Sequence, residues 1–354
     1  MKDGHMLINT NVNTARLLPR ISVGSVIFVA LAFCSSLHAS DSETKEEKVP
    51  TTLSLEARIL KAQQTLDELN QALKENQQRK ESKSILDKRI IADQQINANP
   101  YSLAQHHVNY LLPFSYASNP NPIAQPDLNT ENVDNIEAVF QISTKIPIYI
   151  DSDDALQTLS GLYFGFTARS FWQVFNDEVS KPFRETNYEP EIFYRWQADL
   201  SFFDTRFNAL QIGLNHQSNG ESGLRSRSWN RVIFSALFSD VNSAYYIRTW
   251  WRVPEDEKLT INDPSGDDNP DINDFIGRVE LGYAFQIGEI EVFTRLRNNL
   301  KTTDNRGSIQ LNMTYPLSQR YDVLLQYFNG YGDSLIDYNN HQSRVSLGVQ
   351  LRFL

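Results

Sequence analysis

From about residue 101 onward, polar and apolar residues alternate with a period of two, the spacing that sends successive side chains to opposite faces of a β-strand. The alternation predicts twelve strands, near 106–117, 136–148, 161–174, 190–202, 206–218, 228–239, 242–254, 274–287, 289–299, 306–317, 320–331 and 343–354. At roughly 10 to 14 residues, most are long for a soluble sheet and suited to strands that cross a bilayer at a tilt. Short turns such as Gly288–Glu289 alternate with long polar connections such as Pro254–Asp274. Short turns at one end and long loops at the other are the usual asymmetry of an outer-membrane barrel. In the last segment Val345, Leu347, Val349, Leu351 and Phe353 alternate with Arg344, Ser346, Gly348, Gln350 and Arg352. That pattern predicts a final amphipathic strand with both arginines turned into a lumen. A soluble β-sandwich would explain the alternation but not the strand length.

The fold class expected is therefore all-β, a twelve-stranded antiparallel transmembrane β-barrel, with a helical N-terminal periplasmic extension. The extension is read from residues 40–100, which are polar and rich in Lys, Glu and Gln. Within them Leu55, Ile59, Ala62, Leu66, Leu69 and Leu73 keep a heptad seam that lapses at Asn76. The seam is either a short coiled coil or a marginal helix in a flexible arm. Residues 1–39 read as a signal peptide. Arg16 and Arg20 precede the apolar run Ile21–Phe33, and Ser35–Ala39 offers a cleavage site with Ala39 last. A membrane anchor is the weaker reading, because the run is short for a span. The bulky Phe33 before Cys34 disfavours a lipoprotein. Cleavage after Ala39 would remove Cys34, the chain's one cysteine, and with it disulfides and thiol chemistry.

Composition narrows the function classes. A formal charge of −10 and the lack of a Lys/Arg cluster disfavour nucleic-acid binding. No long apolar run after the signal predicts a transmembrane helix.

The candidate chemistry lies on the apolar face. In Leu210–Gly220, Leu210, Ile212 and Leu214 share one parity, and His216 and Ser218 continue it. On the following strand Asn230 shares the parity of Val232, Phe234, Ala236 and Phe238. In a barrel that face looks at lipid, so a base, a nucleophile and an orienting amide would stand where a lipid substrate can reach them. Singly, each is an ordinary polar group at a strand end. Three of the right types on adjacent strands and one face favour the chemical reading.

With these residues the chain resembles the outer-membrane phospholipase A family. The resemblance is carried in order by Pro182–Pro190, Asn215–Gly220, Ser226–Arg231, Asp267–Asp271 and Gly330–Asn339, and it leaves out the first hundred residues. It implies a calcium-dependent lipase of the Gram-negative outer membrane that removes acyl chains from membrane phospholipids and lysophospholipids at the sn-1 or sn-2 ester. It implies Ser218 as nucleophile, His216 as base and Asn230 as orienter. It also implies a homodimer when active, with Ca2+ held by Ser180 from the opposite subunit together with Glu221 and Ser226, mainly through backbone oxygens. Asp268 is the carboxylate implied for a second calcium site in the monomer. Two departures stand against part of this: Gly223 replaces a frequent aspartate of that second site, and Ala168 stands where the family's dimer uses a buried glutamine. The alternatives are a non-catalytic barrel, porin-like or structural, and an adhesin or assembly platform suggested only by the heptads. A porin keeps its functional residues inside; a hydrolase of bilayer lipids puts them outside.

Overall fold

The protein is described by a computed structural model covering residues 60, 61, 63–67, 89, 90, 93, 94, 103–121, 133–151, 158–177, 183–260, 263, 265–318 and 320–352. The signal segment, most of the heptad seam, Ser180, Phe353 and Leu354 lie outside the described residues. Upstream of residue 103, the described residues (60, 61, 63–67, 89, 90, 93 and 94) are helical.

The period-two pattern folds into a closed antiparallel barrel. Its strands are β2 (Asn109–Ala117), β3 (Ile136–Ile150), β4 (Gly161–Trp172), β5 (Phe183–Phe202), β6 (Thr205–Ser218), β7 (Ser228–Ser239), β8 (Ser243–Arg252), β9 (Val279–Ile287), β10 (Ile290–Asn298), β11 (Gly307–Pro316), β12 (Tyr321–Gly330) and β13 (Gln342–Leu351). Each pairs with its neighbours in sequence, and β13 pairs with β2 to close the ring. A two-residue β1 (Ala104–Gln105) pairs with Lys145 and Thr144 of β3, in line with β2. It is the start of the first strand, interrupted where His106 and His107 turn. Among the described residues, no helix is long and apolar enough to cross a membrane.

Two boundaries differ from the sequence expectation. β5 begins at Phe183 rather than near 190, because Arg184, Glu185 and Asn187 extend it with polar residues that are buried inside. A search for apolar alternation passes over such a stretch. The segment before β9 is helical over Ile272–Phe275, here α1. Its apolar residues pack into a plug rather than continuing the strand.

The barrel is apolar outside and charged inside. Leu210, Leu214, Val345 and Leu347 are exposed, as lipid-facing positions must be. Exposed Phe114, Tyr116, Phe183 and Tyr188 lie toward the long-loop end, and Trp196, Phe202, Tyr315 and Tyr321 toward the short-turn end. These are the girdle positions where amphipathic rings sit at a membrane boundary. Inside, Glu137 binds Arg184 at 3.0 Å and Arg344 at 2.8 Å. Arg184 also reaches Asp337 at 2.9 Å, and Asp333 joins Arg344 at 2.6 Å and Arg169 at 3.1 Å. Asp333 and Asp337 come from the 331–341 loop, so charge draws that loop into the lumen. There Leu335 and Tyr338 pack with Ile272, Ile276, Trp229, Ile233 and Trp250. At the other end the buried Asp93 pairs with Lys145 at 2.6 Å, so residues ahead of 101 also meet the barrel wall.

Glu137 is the acceptor that two buried guanidiniums share, so removing it leaves both short of charge. Glu137→Ala should lower unfolding stability by about 3 kcal/mol, the low end for breaking a buried pair, because Asp333 and Asp337 remain. The midpoint of the heat-modifiable gel shift in a urea series measures it.

Candidate active site

The site sits where β6 and β7 leave the barrel at the long-loop end. Register places His216 directly across from Asn230, and Ser218 across from Ser228. Their neighbours on the other parity, Asn215, Trp229 and Arg231, are buried in the lumen. His216, Ser218, Ser228 and Asn230 therefore point outward, half-buried at the rim. The outward face predicted from the alternation is the one observed.

The structure joins two of the three predicted catalytic residues. His216 Nδ1 lies 2.8 Å from Asn230 Oδ1. An amide oxygen only accepts, so Nδ1 donates to it, and in the neutral ring Nε2 is the acceptor. Ser218 stands two residues along the same strand face, about 6.6 Å away along the chain. Among the described residues its hydroxyl makes no hydrogen bond to the imidazole. Hydrogen bonds of this kind are often loose until substrate binds.

The loop between β6 and β7 is built around a buried asparagine. Asn219 Nδ2 donates to Arg225 O at 2.8 Å, and its Oδ1 accepts from the backbone N–H of Arg227 at 3.0 Å. Gly220 and Gly223 take positive φ, +69° and +60°, a conformation costly for residues with a Cβ. On the far side Asn269, fully buried, accepts the Ser228 N–H at 3.0 Å. Both asparagines lay inside segments that drew attention in the sequence, yet alternation says nothing of residues that shape loops.

The four residues implied as metal ligands are placed as follows. Ser180 lies outside the described residues. Glu221 is exposed and pairs with Arg225 at 3.3 Å. Ser226 Oγ donates to Asp268 Oδ2 at 2.7 Å, and Ser228 Oγ donates to the same oxygen at 3.2 Å. The other oxygen of Asp268 is paired with Lys258. The oxygens are of the kind a hard cation takes, but the Asp268 carboxylate already carries two hydroxyls and an ammonium. In this arrangement both oxygens of Asp268 have protein partners, and Gly223 stands at the second position of that implied site. Ala168 lies on β4 across from Ile142 and Tyr188; no glutamine occupies that position.

A twelve-stranded antiparallel barrel with a lipid-facing His–Asn pair at its rim has the architecture of an integral outer-membrane β-barrel protein. Comparison with known proteins agrees. The phospholipase A1 family profile matches residues 86–351. Phospholipase A1 of Proteus vulgaris is 35% identical over 269 residues, covering 75% of this chain and 87% of that protein. Phospholipase A1 of Escherichia coli K12 is 34% identical over 268 residues, with the same coverage. Among solved structures, an active-site mutant of outer membrane phospholipase A from E. coli superposes with a TM-score of 0.66 at 32% identity, over 75% of this chain and 97% of that one. The Salmonella typhi outer membrane phospholipase dimer with bound calcium gives 0.65 at 32% identity, over 74% and 97%. The chain belongs to the phospholipase A1 family, integral β-barrel phospholipases of the Gram-negative outer membrane.

Asn230 touches the His216 imidazole. On the expectation that His216 is a base and Asn230 its orienter, Asn230→Ala should lower turnover while leaving more activity than His216→Ala, because an orienting group contributes less than the base it holds. Initial rates of both purified variants on one phospholipid decide it.

Proposed function

We propose that this chain hydrolyses the sn-1 and sn-2 acyl esters of glycerophospholipids and lysophospholipids through Ser218, His216 and Asn230 on the outer face of the barrel. The observation that carries the reading is the 2.8 Å contact between His216 and Asn230 on a lipid-facing surface. The Ser218 hydroxyl attacks the ester carbonyl. His216 Nε2 takes its proton and passes it to the departing lysophospholipid oxygen, and Asn230 holds the ring through Nδ1. Water, activated by the same imidazole, then releases the fatty acid from Ser218.

Calcium and association complete the proposal. The solved Salmonella relative is a dimer with bound calcium. Here Glu221 and Ser226, with Ser180 of the partner subunit, would hold the ion at the interface, while Asp268 would serve only if Lys258 moved away. A divalent ion bound there would supply positive charge for the oxyanion. The active form is then a homodimer acting on membrane phospholipids, with residues 1–39 removed as a signal and residues 40–100 as a helical extension in the periplasm. The narrow, ion-paired lumen argues against the porin-like alternative.

Two measurements test this. Ser218→Ala should retain a folded, heat-modifiable barrel and lose ester hydrolysis; wild-type turnover from the folded variant would sink the assignment. In a calcium titration of the wild type, cross-linked dimer and activity should rise together, because an ion shared by the interface favours the dimer as much as the dimer favours the ion. Full activity of a monomer in chelator would leave the triad standing and remove the calcium residues.

A further inference from the structure

A residue outside the expected triad touches Asn230. The Asn230 side chain has two ends, and while Oδ1 accepts from His216, Nδ2 donates to Glu255 Oε1 at 3.3 Å. Glu255 lies in the connection after β8, 25 residues from Asn230 in the chain.

Chemistry makes this contact directional. A free asparagine can present either end to an imidazole. If Nδ2 faced His216, Nδ1 would have to accept and the ring proton would move to Nε2, leaving no base for the serine proton. A carboxylate only accepts, so it can meet only the Nδ2 end. It thereby turns Oδ1 toward His216 and keeps the proton on Nδ1. Its negative charge also lies two hydrogen bonds from the imidazolium that forms when Ser218 loses its proton. The neutral amide alone gives that cation less stabilisation than a carboxylate would.

The loop holds Glu255 where this requires. Val253 N–H donates to the Asn230 carbonyl at 2.8 Å, two residues before Glu255. Just beyond it, the Asp256 carbonyl accepts from Asp267 N–H at 2.8 Å, and Glu257 bridges to Asp267. Arg252 and Lys258 pair with Asp267 and Asp268 on either side. Gly266 closes the return at φ +96°, where a Cβ would come within 3.0 Å of the Asp256 carbonyl oxygen. Glu255 is thus a side chain on a segment tied down at both ends.

We propose that Glu255 is a positioning residue for ester hydrolysis, fixing the Asn230 amide and through it the reactive tautomer of His216. The inference rests on the triad reading above. Rates on a short-chain phosphatidylcholine in detergent micelles with calcium, using refolded protein checked by heat-modifiable migration, test it. Glu255→Ala should lower kcat about tenfold with KM within about twofold, the scale of one charged hydrogen bond. Glu255→Gln should fall less, about threefold, because its amide oxygen still accepts while the charge is gone. The decisive arm uses Asn230→Asp. There a carboxylate meets His216 without help and Glu255 becomes a like-charged neighbour, so Glu255→Ala should raise activity in that background. A loss in both backgrounds would assign Glu255 a merely structural role, and unchanged kcat in Glu255→Ala would remove it; either overturns the inference. His216→Ala is run alongside. If it is inactive, a null result at Glu255 sinks this inference alone; if it is active, the triad reading itself fails.

Discussion

A charge buried inside this barrel has to be met by a counter-charge or a hydrogen-bond partner, and that constraint shapes the rest. In the lumen Arg184 and Arg344 are held by Glu137, Asp333 and Asp337. A buried ion left alone would cost several kcal/mol. Two of the three acids belong to a loop rather than to a strand. Satisfying the wall charges therefore folds the 331–341 segment inward, where Leu335 and Tyr338 seal against Trp229 and Trp250.

The ion-paired interior and the lipid-facing exterior are tied together by the strands that make both. β6 and β7 show how one hairpin serves both sides. Asn215 and Arg231 bind each other and Glu189 in the lumen, which fixes the register of the two strands. The same register sets His216 across from Asn230 on the outside. The inner network is thus the support for the outer pair. The half-buried rim position sets His216, Ser218 and Asn230 at the lipid-facing edge, next to the loops.

The loops add what strands cannot. Strand pleating places side chains on a face but leaves an amide free to turn about its last bond. The orientation of Asn230 depends on a donor or acceptor brought from elsewhere, and the connection after β8 brings Glu255. The same connection brings Lys258 to Asp268. One stretch of chain thereby touches both the Asn230 amide and the Asp268 carboxylate.

Much of this was legible in the sequence because a strand's period is local. Alternation over Leu210–Ser218 and Ser228–Phe238 is enough to put His216, Ser218 and Asn230 on the apolar side, and the Arg344 parity is enough to put that residue inside. The start of β5 escaped notice because its buried residues are polar, and α1 because its apolar residues serve a plug. What only the tertiary structure decided is long-range pairing: that Glu137 meets two arginines, that Asp333 and Asp337 fold into the lumen, and that Glu255 and Lys258 reach Asn230 and Asp268. Periodicity is set by each residue's own backbone and can be read along the chain. The partner of a charge or an amide is set by closure of the ring and the path of its loops, which no local pattern contains.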